Sequence, residues 1–213
     1  MRSKRDNGPT FTERARRAQI VECAINLIAE IGYSQTSISK IAERAGVAKS
    51  VVLYYFANKD ELLNTVVTEI FLAGAAVMVP AMKAEPTAAG KLRAYIRSNG
   101  EFISAHREHA LAMLDIWTSY RSASGQRLDE VMVESTKQNP PQGDLAELDP
   151  VRILELGQQT GEFREFSAPL MAAAVRSAID GSVTQSSVDP GFDVMAYCDE
   201  LVTVFDLATR RNT

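Results

Sequence analysis

The stretch GVAKSVVLYYF, residues 46–56, decides how this chain folds. It is apolar or aromatic almost throughout, yet Lys49, Ser50 and two tyrosines are threaded through it. Placed on a helix at about 100° per residue, Val52 and Phe56 lie about 40° apart and define one narrow inward facet. Val47 supports that facet from the preceding turn. Tyr54 then points directly away, Ser50 and Val51 flank it, and Lys49, Leu53 and Tyr55 occupy the shoulders. So short a helix does not hold itself together in water and depends on its neighbours. Its outward side chains suit the major groove of DNA, where Val51 and Leu53 meet thymine methyls while Lys49, Ser50 and the tyrosine hydroxyls reach base edges or phosphates. The alternative is a plain helical hairpin whose outer face packs under the rest of the chain.

Immediately upstream, Ile38, Ile41, Ala42 and Ala45 form an apolar stripe on a second short helix, and Gly46 supplies the turn between the two. This is helix-turn-helix spacing. Working outward, period-2 alternation is nearly absent and glycine and proline are sparse, which makes the chain all-α. Helices are expected over 12–31, 37–45, 49–55, 59–79, 87–105, 108–123, 126–136, 150–160, 168–185 and 192–210. Thr12, Thr36 and Asn58 are the expected caps of the first, second and fourth helices, the last with Glu61 at capping-box spacing. The proline-, glycine- and acid-containing segment 137–150 reads as a mobile surface loop.

The 213 residues carry a net charge of -4 that is divided unevenly. Residues 1–60 hold 10 Lys and Arg against 6 Asp and Glu, and residues 61–213 hold 13 against 21. A basic head on an acidic body is what contact with a polyanion requires, although Arg2, Lys4 and Arg5 also fit a solvated tail. The longest apolar run, Ile70–Met82, is interrupted by Gly74 and Pro80 and falls short of the roughly 20 residues of a membrane helix. No secretory signal opens the chain, so it is expected in the cytoplasm and away from membranes. Cys23 and Cys198 stand alone, and His106 with His109 lacks a third ligand at metal-site spacing. No metal or cofactor is therefore expected. Catalytic motifs are missing too, and a small all-α enzyme would have to rest on scattered acids such as Asp115 and Glu101.

TSISKIAERAGVAKS, residues 36–50, followed by YYFANKDELL, residues 54–63, closely resembles the DNA-binding head of the TetR family of bacterial transcriptional regulators. The likeness spans about residues 12–63, and GEFR at 161–164 is similar to a further habit of the family. The resemblance implies a helix-turn-helix head over residues 1–58 and a larger helical ligand-binding and dimerisation domain over 59–213. It implies a homodimeric, ligand-responsive regulator, a repressor on a palindromic double-stranded operator. By that likeness Lys49 to Tyr54 form the recognition helix, Ser37 and Ser39 contact the backbone from the supporting helix, and Tyr55 and Lys59 contact phosphates. Two departures stand out. Ala48 replaces a frequent serine cap, so the recognition helix is expected to settle fully only on DNA, and Leu53 stands where a tyrosine is usual.

In the body, Met113, Trp117 and Tyr120 share one expected helix face and Phe102 and His106 another. Such side chains line small-molecule cavities and also fill cores. Ala173, Ser177 and Gly181 allow close approach of another helix, and Val194, Cys198, Leu201, Phe205 and Ala208 form a stripe on the last one, with Met195 and Val202 widening it. These last two helices are the expected dimer contact, for which intramolecular packing is the alternative. Regulation by a protein partner in place of a small molecule is the second functional reading.

Overall fold

In the computed structural model, which describes residues 10–122, 124–138 and 143–211, the chain is built of ten α-helices and one 3-10 turn, with no strand among the described residues. The head comprises α1 (Phe11–Ile31), α2 (Ile38–Arg44) and α3 (Lys49–Tyr55). The long α4 (Lys59–Lys83) carries the chain into a body of α5 (Ala88–Ala105), α6 (Arg107–Ser119), α7 (Leu128–Gln138), a 3-10 turn (Gly143–Leu148), α8 (Pro150–Gln159), α9 (Ala168–Val188) and α10 (Val194–Thr209). The tail with Arg2, Lys4 and Arg5 lies outside the described residues.

Helix starts follow local hydrogen bonding, and at two of them the structure corrects the expected cap. Thr10, not Thr12, caps α1, accepting from the Glu13 amide while the Glu13 carboxylate accepts from the Thr10 amide at 2.7 Å. Ser37, not Thr36, caps α2. Thr36 is buried and its hydroxyl donates to the Gly32 carbonyl at 2.8 Å, so it ties the turn to the end of α1 instead. Asn58 caps α4 as expected, accepting from the Glu61 amide, and Glu61 reaches back to the Ala57 amide.

Helix α4 runs past Pro80 to Lys83, so its apolar length exceeds the run read from sequence, and by length and composition alone it is long enough to cross a membrane. Its packing gives those residues another use. Leu62, Leu63, Val66, Val67 and Ile70 enter one core with the head helices, while Met78 and Met82 enter a second core in the body. The segment expected as a mobile loop is described at 137–138 and 143–150. Residues 139–142 lie outside the described residues, but the 3-10 turn at 143–148 packs on α4 and places Leu148 against the body core.

The GEFR segment closes the body. The Glu162 carboxylate accepts from the first amides of α5, Ala88 at 3.1 Å and Ala89 at 3.0 Å, which holds its carboxyl below the usual carboxylate range, first through the Ala89 bond. Arg164 bonds the carbonyls of Thr209 and Ala208 through its amide and Nε. Between them Phe163 is buried so tightly against Gly157 that a Cβ there would lie 2.1 Å from a ring carbon. Gly157→Ala is therefore expected to cost about 1–3 kcal/mol, measured by denaturant unfolding, because neither the ring nor the helix can yield without moving the α8–α9 junction.

The dimer stripe predicted on α10 is corrected. Val194, Cys198, Leu201, Val202 and Phe205 all belong to the body core, and Cys198 Sγ packs where α10 crosses α5 at Gly100. Burial pushes the Cys198 thiol up to about 11. What α9 and α10 leave open is a different face, with Leu170, Ala173, Ser177 and Val188 on α9 and Val204 and Leu207 on α10 all exposed.

Candidate nucleic-acid interface

Helix α3 is held from one side only. Val52 and Phe56 are 0% exposed, the Arg17 guanidinium sits 4.8 Å over the Phe56 ring, and Arg17 Nη2 donates to Thr65 Oγ1 on α4 at 3.0 Å. The opposite face is open, with Tyr54 73% and Leu53 42% exposed and Lys49 and Ser50 exposed beside them. Val51 and Tyr55 are half-buried shoulders, and the Tyr55 ring meets Tyr54 edge-on at 5.0 Å between centroids. The hairpin packed under the body is thus excluded for this face. Ala48 makes no side-chain cap bond, yet α3 is helical over its full expected length because its two anchors seat it on α1, α2 and α4.

The turn between α2 and α3 places this face. Gly46 has φ +66°, and a Cβ there would meet no neighbour within 4 Å, so glycine is required by conformation and not by space. The Val47 amide donates to Ala42 O at 3.0 Å and tightens the turn.

The supporting residues divide. Ser39 is exposed on α2, whereas the Ser37 hydroxyl accepts from the Lys40 amide at 3.3 Å as the helix cap. Lys59 is half-buried: its ammonium donates to the Tyr33 carbonyl at 2.8 Å and lies 3.8 Å from the Tyr33 ring centroid. Burial lowers its pKa, against a smaller opposing effect of Asp60. It thus has an internal partner that the sequence pattern did not reveal. Exposed cations that the motif reading passed over are Arg14 and Arg16 on α1 and Lys40 on α2; their only sequence signal is the positive charge of the head.

The five residues expected around a ligand do not form one wall. Phe102 and Tyr120 are buried, and Met113 is packed partly buried, in the core that α6 shares with the head. Phe102 stacks on His106 at 5.0 Å, while Trp117 is 41% exposed and stands apart. His109 lies between Phe102 and Glu22 of α1, its Nε2 3.8 Å from the Glu22 carboxylate, which gives the histidine pair a packing role. Two surface clefts, of about 330 and 250 Å³, lie elsewhere, one lined by Lys91, Arg152 and Leu156 and the other by Arg93, Glu162 and Arg210. A polar cluster unseen in the sequence joins α9 to α5, where Arg176 bonds the Tyr95 hydroxyl at 3.1 Å, Asn99 Oδ1 at 3.4 Å and Asp180 at 3.2 Å.

Comparison with known proteins agrees with this geometry. Residues 20–66 match the family model for bacterial regulatory proteins of the tetR family. The chain is 28% identical over 193 residues to the fatty acid metabolism regulator protein of Bacillus subtilis, covering 89% of this chain and 93% of that one. It is 31% identical over 108 residues to the HTH-type transcriptional regulator BetI of Cronobacter sakazakii, but there it spans only about half of the relative, 52%. Among solved structures, the regulator FadR from Bacillus subtilis in complex with stearoyl-CoA superposes with a TM-score of 0.71 at 26% identity, over 88% of this chain and 96% of that one.

Proposed function

The chain belongs to the TetR family of bacterial transcriptional regulators, and from that membership we propose that it is a repressor whose paired heads read the two halves of a palindromic operator. It is a ligand-responsive DNA-binding protein and not an enzyme. We take the boundary between head and body at residues 58 and 59, where α4 begins. The observation that carries the reading is α3 itself, anchored by Val52 and Phe56 with Lys49, Ser50, Leu53 and Tyr54 turned outward. Lys49 and Tyr54 are assigned to base edges, Val51 and Leu53 to apolar contacts in the groove, and Ser39, Tyr55 and the cap residue Ser37 to the phosphate backbone. Lys59 approaches a phosphate while keeping its bond to Tyr33, with its remaining ammonium protons as donors. Regulators of this family are generally cytoplasmic, and we place this one there.

Selection of bound sequences from random duplex DNA tests the assignment. Wild type is expected to enrich a two-fold symmetric site, and Tyr54→Ala to change the preferred bases at one position in each half with a loss of about 1–3 kcal/mol on the original site. A uniform loss on all sequences would remove Tyr54 from base reading.

For the second copy, the exposed α9 and α10 face with Leu170, Ala173, Ser177, Val188, Val204 and Leu207 is the proposed dimer contact, in place of the stripe that the body core consumes. For the effector, the relative matched over nearly its whole length and the solved stearoyl-CoA complex support a long-chain acyl thioester. Phe102, Met113 and Tyr120 belong to the core shared by α6 and the head, with His106 against Phe102, so a ligand entering among them would disturb that core. Stearoyl-CoA at micromolar concentration is expected to release the selected operator in an anisotropy titration while free CoA and choline do not; equal inertness of all three would remove the acyl reading.

A further inference from the structure

Tyr33, in the turn between α1 and α2, is gripped from three sides. Its amide donates to Asp115 Oδ2 of α6 at 2.5 Å, its carbonyl accepts from Lys59 Nζ at the start of α4 at 2.8 Å, and its ring lies between the Lys59 ammonium and the Tyr120 ring, 5.9 Å away. Burial raises the Tyr33 phenol above its ordinary range, with a smaller contribution from Asp60. Gly32 stands at φ +81°, a conformation that L side chains rarely adopt, and a Cβ there would lie in ordinary contact with the Asp115 carboxylate at 3.6 Å. Ser119 holds the second carboxylate oxygen at 3.4 Å. The amide is the first of the α1–α2 turn, and a carboxylate is a strong acceptor for it.

The helix that supplies Asp115 is tied along its length. At its start Arg107 donates to the Ser186 carbonyl of α9 at 2.8 Å, two residues on His109 faces Glu22 of α1, and Asp115 near its end takes the head turn. One rigid element thus runs from the helix that faces the proposed partner copy to the turn that sets α2.

We infer that Asp115 is a positioning residue for the DNA-reading head, the acceptor through which α6 sets the orientation of α2 and α3 relative to the body. This rests on the reading of α3 as the DNA-contacting helix, but the orientation itself is measurable without DNA. A shift of α6 by an effector moves the carboxylate, and the head follows through the Tyr33 amide. Because the bond is one discrete contact, its loss loosens the turn, which Lys59 and the Tyr120 ring still hold, without unfolding α6.

The test compares Asp115→Ala and Asp115→Asn with wild type in the full chain. Amide hydrogen exchange at Tyr33 is expected to rise about tenfold or more in Asp115→Ala, as for loss of one charge-assisted bond, while the Gly32 amide, bonded to Ile28 O, stays protected. Spin labels at Glu43→Cys on α2 and Glu101→Cys on α5, in a Cys23→Ala background diluted with unlabelled chain, should give one narrow distance in wild type and a broadened one in Asp115→Ala. Asp115→Asn keeps an acceptor oxygen and should restore the narrow distance even if the alanine variant is less stable. An unchanged distance distribution and unchanged Tyr33 exchange in Asp115→Ala overturn the inference. Failure of wild type to select any duplex would overturn the DNA reading instead, and the label distances would still decide whether Asp115 orients the head.

Discussion

Phe56→Ala is expected to lower the free energy of unfolding by about 3–5 kcal/mol, the range for deleting a buried aromatic ring from a packed core. Phe56 is 0% exposed and is one of only two side chains of the recognition segment that enter the core, the other being Val52. Removing the ring also strips Arg17 of the surface it covers, although its bond to Thr65 remains. Since that core also holds Ala112 and Ile116 of α6, the loss should shift a single unfolding transition and not detach the head as a separate one. Tyr54→Ala, two residues away but 73% exposed, should change stability by no more than about 0.5 kcal/mol. Equal destabilisation by the two variants in urea titrations would refute the one-sided anchoring of α3.

Operator affinity is expected to fall roughly a thousandfold between 50 and 200 mM salt, if a dimer neutralises about six phosphates. Each head presents Lys49 on the reading face, Arg14 and Arg16 on α1, and Lys40 on α2, whose ammonium also donates to Gln35 O at 2.9 Å, which are enough for about three phosphates per half-site. Lys59 adds less to this slope than its place in the motif suggests, because its ammonium is already bonded to Tyr33 O and held over a ring. A plot of log affinity against log salt gives the number of phosphates directly, and a nearly flat line would dismiss the contact set.

Most helices were legible because caps and periodicity act locally: α3 runs over the residues expected, and Asn58 starts α4 where the pattern placed it. The misread caps, Thr12 for Thr10 and Thr36 for Ser37, share a cause. Several hydroxyl residues stand near each helix start, and which one caps depends on where the preceding chain is led; Thr36 is drawn inward by Gly32 O. The α10 stripe was read as an interface because an apolar face bears no mark of whose atoms cover it. Trp117 and Tyr120 were grouped by sequence spacing, yet the helix ends between them, leaving one exposed and the other buried against the head.

By itself the sequence determined that this chain is helical, that a short helix with two inward residues follows a glycine turn, and that its outer face carries groove-compatible chemistry. These are consequences of spacing and of backbone freedom at single residues, which act within a few positions of each other. Only the tertiary structure decided that α10 spends its apolar stripe on its own body, that Lys59 is held by Tyr33, and that Asp115 meets an amide 82 positions away. Those outcomes depend on which helices cross and how closely, and a carboxylate on an isolated helix face accepts from water as readily as from any amide the fold brings to it.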